Sequence, residues 1–257
     1  MAFEVRCEAA EGVAVLTIDN PPVNALHPDV AAALAAEAAR LGADAHVRAV
    51  VLTAAGDHFM AGGDIRFFQT LDRDGAERYV LGIQEMQDCL ARLPQPVVAA
   101  VNGAAIGGGC ELAMACDIRI ADERAVFAQP EVSLGIIPAA GGTQNLARLV
   151  PVGTAKRLLF TGDRIDAHEA LRIGLVDAVV PAGTVLDRAR ELALRIARNA
   201  PLAVTAAKRA VDIGLQTSVR DGQRLEATLF ASLVETTDFR EGVAAFLEKR
   251  EPTFKRA

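Results

Sequence analysis

The stretch that most constrains this chain is residues 96–121, PVVAAVNGAAIGGGCELAMACDIRIA. Its first part, PVVAAVN, is a short apolar run that ends at Asn102. Without polar alternation, such a run fits a strand buried on both faces, and strands of that kind belong to parallel sheets covered by helices. Three consecutive glycines, Gly107 to Gly109, then lead into a helical segment that is almost wholly apolar apart from Glu111. The chain is committed to a buried strand, a flexible turn, and a helix with a carboxylate at its mouth.

The same alternation recurs on both sides. FEVRCEA (3–9) and GVAVLTID (12–19) read as strands joined by a turn at Glu11-Gly12, and Pro21-Pro22 ends the second. Pro28–Leu41 reads as a helix, with Pro28 in its first turn and Gly42 at its end. VRAVVLTA (47–54) is a third strand, followed by a loop, AGDHFMAGGDI (55–65). Asp74–Leu93 carries Val80, Ile83, Met86, Leu90 and Leu93 at helical spacing. A further strand is expected near Asp117–Ala121. After Val180 the pattern becomes helical: Leu186–Arg198, Leu202–Leu215, Val219–Glu235 and Phe239–Lys249. Strands alternating with helices predict an α/β fold with crossover connections. The expected organisation is a core over residues 1–190 and a helical C-terminal region over 191–257.

Composition narrows what such a fold can contain and bind. Of 257 residues 51% are hydrophobic but only 4% are aromatic, so Ala, Val, Leu and Ile must build the core. A net charge of −6 without a basic patch disfavours nucleic acid. No signal or transit peptide is recognisable, and no segment reaches the ~20 apolar residues of a membrane span. The four cysteines and four histidines fall in no metal-ligand spacing. A soluble, cytoplasmic protein with free thiols is expected.

Four features carry chemistry. Gly62-Gly63 and Gly107-Gly108-Gly109 each stand at a probable helix start. Glycine lets the backbone approach a ligand closely, and helix starts carry unpaired N–H donors. Alone, either is also an ordinary tight turn; together, two such turns can aim two N–H groups at one oxygen. Glu111 has apolar neighbours at i+3 and i+4, Met114 and Ala115, so its carboxyl should be desolvated and its pKa raised. Glu131, in FAQPEVSLGIIPAAGGTQ, is a second carboxylate in a poorly solvating setting, with a short strand pair expected between the two glutamates. Two such groups at one centre suit paired acid and base work. Cys110 reads as packing, and no serine lies in a nucleophile elbow.

In order along the chain, NPPVNAL (20–26), FMAGGDI (59–65), residues 96–121, FAQPEVSLGIIPAAGGTQNLARLVP (127–151), TGDRIDAHEALRIGLVDAVVP (161–181) and DFREGVAAFLEKREPTFK (238–255) resemble the crotonase, or enoyl-CoA hydratase/isomerase, family. The resemblance covers essentially the whole chain. It implies a spiral of β-β-α units with a helical C-terminal trimerisation region, assembled as a trimer or dimer of trimers. It implies an acyl-CoA thioester as substrate and no metal or redox cofactor. The N–H groups of Gly63 and Gly108 would form the oxyanion hole, and Glu111 and Glu131 would be the catalytic pair of the hydratase branch. Ala25, Ala61, Gly63, Asp64, Ile65, Arg66, Gly108, Phe246 and Lys249 fall at positions that contact substrate or CoA. The acyl pocket is expected between the Phe67–Tyr79 region and Ile136–Ala140. Retention of both glutamates favours hydration of trans-2-enoyl-CoA. The alternatives are isomerisation of 3-enoyl-CoA, other chemistry of the same fold, and a non-catalytic acyl-CoA-binding protein. Three positions depart from the common pattern: His27 replaces a small polar residue, Gly63 a frequent Ala, and Ala139 a frequent Gly.

Overall fold

The computed structural model describes residues 3–257. β1 (Glu4–Ala10) and β2 (Val13–Asp19) form an antiparallel hairpin. Its two-residue turn needs positive φ twice, and Glu11 (φ 53°) and Gly12 (φ 80°) supply it. In α1 (Pro28–Ala43) the N-cap is His27, whose Nδ1 accepts from the Asp29 N–H. Gly42 lies inside this helix and does not end it; glycine fits there because a β-carbon would press on Leu93 at 3.3 Å. Next come β3 (Ala49–Ala54), β4 (His58–Ala61), α2 (Ile65–Phe68) and α3 (Arg73–Ala91). β5 (Val97–Val101), β6 (Ala104–Ile106), α4 (Gly108–Met114), β7 (Ile118–Asp122) and β8 (Val126–Ala128) follow. A 3-10 turn, Glu131–Leu134, leads to α5 (Gly142–Leu149), α6 (Val152–Thr161), β9 (Ile165–Asp166), α7 (Ala167–Ile173) and β10 (Ala178–Val180). Four helices close the chain: α8 (Val185–Ala197), α9 (Pro201–Gly214), α10 (Val219–Val234) and α11 (Thr237–Glu248).

The large sheet has the order β1-β2-β3-β5-β7-β10 and is parallel from β2 onward. Alternate residues of a strand face opposite sides, and the apolar runs of β3 and β5 need this because both faces are covered. Leu16, Val50, Leu52, Val97 and Ala99 join a core with Leu34 and Leu41 of α1 and Ile83 and Leu90 of α3. Val15, Val51, Val98 and Ala100 join a second core beneath α8. α8 meets that face through Val185, Ala189, Ala193 and Ala197, one residue per turn. Alanines at this spacing present one narrow stripe to the sheet. The break expected between residues 190 and 191 therefore falls inside α8, whose buried stripe is part of the sheet's own packing.

The small sheet, β4-β6-β8-β9, positions the site. Residues 55–57, 102–103 and 123–125 carry the chain from β3 to β4, β5 to β6 and β7 to β8, crossing each time from the large sheet to the small one. The expected loop at 55–65 thus contains a strand, and so does the segment before the three glycines. Strands of four and three residues are too short to show a period. The strands between the two glutamates do exist, but β7 and β8 belong to different sheets and do not pair. β4, β6 and β8 run parallel and end at one edge. Gly62-Gly63, Gly107-Gly108 and Glu131 follow those three ends.

α9 packs against α10 and is tied to the core where Lys208 Nζ meets Asp117 Oδ2 at 2.6 Å and Thr205 Oγ1 donates to the Pro94 carbonyl at 2.8 Å. α10 buries no residue, and Phe230, Phe246 and Leu247 are exposed. Among the described residues no helix is long and apolar enough to cross a membrane.

Candidate active site

NPPVNAL acts as a brace beside the first glycine turn. Asn24 adopts φ 53° and donates through Nδ2 to the carbonyls of Ala55 (2.9 Å) and His58 (2.7 Å). Asn20 Nδ2 donates to the Ala25 carbonyl at 2.8 Å. Leu26 N–H donates to Gly62 C=O (2.8 Å), and Asp64 N–H donates to Leu26 C=O (3.2 Å). This pattern steps over Gly63, whose own N–H has no acceptor among the described residues. The second turn hangs from β8, since Gly107 N–H donates to Ala128 C=O at 2.8 Å. The Gly108 N–H, at the start of α4, likewise has no acceptor among the described residues. A β-carbon on Gly108 would lie 3.9 Å from Gly63 N, so the turns adjoin. Two free donors on adjacent turns can bind one developing oxyanion.

Glu111, on the first turn of α4, is 3% exposed. Its Oε1 accepts from the N–H groups of Ala140 (2.9 Å) and Gly142 (2.8 Å). Burial raises its pKa, and these two hydrogen bonds oppose the rise by favouring the charged form. Gly142 permits the approach, because a β-carbon there would stand 2.8 Å from that same oxygen. Glu131 opens the 3-10 turn with its carboxyl against Gly107: its Oε1 lies 2.5 Å from where a β-carbon of that glycine would be. Burial pushes Glu131 up to about 7, with the Glu111 charge adding to the rise. One carboxyl is thus cradled by donors to its charged form, and the other holds a proton near neutrality. The pair can take a proton from water on one side and deliver one on the other.

This site sits on a chain that the enoyl-CoA hydratase/isomerase family model matches over residues 8–257. The chain belongs to the enoyl-CoA hydratase/isomerase family. It is 44% identical to a crotonyl-CoA hydratase of Syntrophomonas wolfei over 257 residues, covering 99% of each chain. It is also 44% identical to a short-chain-enoyl-CoA hydratase of Clostridium acetobutylicum, covering 93% of this chain and 92% of that one. The crystal structure of an enoyl-CoA hydratase from Bacillus anthracis superposes with a TM-score of 0.96 at 39% identity, over 98% of this chain and 99% of the other. The α/β architecture, with its two sheets and peripheral helices, is the crotonase fold.

Ala61, Gly63, Asp64, Gly108, Glu111 and Glu131 lie at or just after the ends of β4, β6 and β8, Ala25 precedes Leu26, which bonds to Gly62, and Ile65 and Arg66 open α2. The Asp64 carboxylate is engaged as the N-cap of α2, accepting from the N–H groups of Arg66 (2.9 Å) and Phe67 (3.3 Å). Phe246 and Lys249 are not brought there within one protomer. Phe246 is 84% exposed, and α11 is anchored instead to the C-terminal segment, where Asp238 accepts from the N–H groups of Lys255 and Arg256.

Several contributors are absent from the sequence reading. Gln129, 1% exposed, can donate its amide to both Glu131 oxygens at 3.2 and 3.3 Å. The Phe68 ring fills the space that a β-carbon on Gly63 would take, and Tyr79 Oη stands 3.0 Å from the same point while donating to Leu26 C=O. That crowding is the reason glycine stands at position 63. His27 packs edge-on against Phe67 at 5.2 Å, and Ala139 C=O accepts from Gln84 Nε2 at 2.7 Å. The glycines of PAAGG were a legible signal for backbone donors. The Phe68 and Tyr79 contacts arise only when α2 and α3 fold back over β4.

Proposed function

We propose that this protein is an enoyl-CoA hydratase that adds water across the double bond of a trans-2-enoyl-CoA to give the 3-hydroxyacyl-CoA. The supporting observation is the pairing of two desolvated carboxyls, one held by the N–H groups of Ala140 and Gly142, with two adjacent turns that carry free N–H donors. The thioester carbonyl oxygen accepts from Gly63 and Gly108. Glu111, charged, removes a proton from water as its oxygen bonds to C3. The C2=C3 π electrons move to C2 and onto the thioester oxygen as an enolate. The two N–H groups stabilise that charge, and a single such donor is worth roughly 10²–10³-fold in rate in comparable acyl chemistry. Glu131, protonated, then delivers its proton to C2. One water is consumed, and the enzyme is restored when the proton left on Glu111 passes to Glu131, directly or by release to solvent with uptake of another from solvent. The step draws on no metal or redox cofactor, and coenzyme A is part of the substrate.

The exposed apolar side chains of α10 and α11 are assigned to contacts between copies, in a trimer or dimer of trimers. Phe246 and Lys249 would reach coenzyme A only in that assembly. The four free cysteines fit a cytoplasmic setting.

The test is loss of the enoyl-thioester absorbance with trans-2-enoyl-CoA substrates from C4 to C16, run beside a 3-enoyl-CoA control. Hydration of the 2-enoyl series is expected. Faster conversion of the 3-enoyl substrate would make the protein an isomerase, and no turnover of either would leave it a binding protein.

A further inference from the structure

The loop that holds Glu111, Pro138 to Gly142, is itself held from α3. Gln84 and Gln87 stand one turn apart on that helix and both face the loop. Gln84 Nε2 donates to the Ala139 carbonyl at 2.7 Å, one residue before the first N–H that grips Glu111. Gln87 is 6% exposed, and its Oε1 lies 3.5 Å from the β-carbon position of Gly141, the residue between the two gripping N–H groups. Gly141 adopts φ 92°, a conformation that glycine visits freely and that leaves the loop little intrinsic preference for its shape. The loop is thus bonded to α3 through Gln84 and packed against it beside Gln87. Nothing in the hydratase reading requires polar side chains there; Gln87 is a buried amide, costly where apolar packing would serve, and Gln84 is an exposed residue that spends its amide on the loop carbonyl rather than on water.

We propose that Gln84 is a positioning residue: by fixing the Ala139 carbonyl it aligns the N–H groups of Ala140 and Gly142 on one oxygen of Glu111 and so sets how readily that carboxyl keeps its charge. This rests on the role given to Glu111 above. The ionisable groups facing Glu111 are Glu131 from the 3-10 turn, the Tyr79 phenol from α3 and the adjacent Cys110 thiol. β4 carries one titratable residue, His58, at its start and remote from the strand end that adjoins the site, β6 is Ala104–Ile106, and the one charged residue of α5, Arg148, bonds to Gln144. None of these groups contacts Gln84, so removing the Gln84 N–H changes the cradle without moving a charge.

The test is Gln84→Met, which keeps side-chain length and loses the donor. Misaligned donors favour charged Glu111 less, so the limb of the kcat profile that falls towards acid should move up by about half a pH unit. The limb that falls towards alkali and KM should stay in place. A 13C titration of the Glu111 carboxyl without substrate should show the same displacement, and it reads the cradle even if the protein hydrates nothing. An unmoved Glu111 titration would overturn the proposal, whether or not kcat falls. Unmoved titration together with a lower Tm would mark Gln84 as a packing residue only. A displaced titration in a protein without hydratase activity would sustain the cradle and defeat the reaction.

Discussion

Glu111 and Glu131 stand on unlike supports at one site. Glu111 projects from a helix and has two backbone donors on one oxygen. Glu131 projects from a short 3-10 turn and lies against Gly107, with its own backbone N–H and the Gln129 amide as donors. Both are desolvated; Glu111 has its charge answered by two N–H groups from a separate loop, whereas Glu131 has only its own backbone N–H. Burial alone would make the two alike. The proposed division of roles, Glu111 as base and Glu131 as acid, rests on this difference in backbone support.

The comparison breaks most directly when either carboxyl is replaced. Glu111→Gln and Glu131→Gln should each lower kcat at least ~100-fold with the fold retained by circular dichroism, since each removes one proton-transfer partner. Near-normal turnover by either would remove that residue from the chemistry.

The next largest effect separates the two supports. Gly142→Ala places a β-carbon 2.8 Å from Glu111 Oε1, whereas Gly107→Ala places one 2.5 Å from Glu131 Oε1 at a residue with φ 53°. Each should cost on the order of 10-fold or more in kcat, as displaced catalytic groups do. In the proposed reaction Glu111 works unprotonated, so activity should fall as pH drops through its pKa; Glu131 works protonated, so activity should fall as pH rises through about 7. Gly142→Ala should shift the acid-side limb and Gly107→Ala the alkaline-side limb of the kcat profile. Identical shifts would mean the two carboxyls titrate as one unit.

The smallest effect is on stability. The folded pKa of Glu131 is raised to about 7 from an ordinary 4.5, so the unfolded chain gives up its proton first. Stability is therefore lost as pH rises from about 4.5 to about 7, and the full penalty is present above that. Glu131→Gln should raise Tm relative to wild type at pH 8 and leave it unchanged at pH 4. An equal gain at both pH values would show that the charge is not its cause.

Much of this was legible in the sequence, for stated reasons. PVVAAVN and VRAVVLTA read as buried strands because both faces of the large sheet are covered, and the helices after Val180 fell within a residue or two of their observed ends. The glycine turns and the apolar setting of Glu111 were visible as types of residue in series. What escaped was the small sheet. β4 and β6 are too short to carry a period, so the edge on which three separate stretches converge could not be drawn. Gly42 looked like a helix stop, but its reason is the Leu93 side chain, far along the chain. The cradle of Glu111 likewise depends on backbone N–H groups some 30 residues away; the glycines of PAAGG mark where donors could lie but not which carboxyl they meet.

The central claim is that one site holds two glutamates with separated proton affinities. The direct measurement is a 13C NMR titration of the side-chain carboxyls in the unliganded protein, assigned with the two Glu→Gln variants. Glu131 is predicted to titrate near 7 and Glu111 at lower pH, each above an exposed glutamate. Both titrating together near 4.5, or Glu111 holding its proton to higher pH than Glu131, would contradict it.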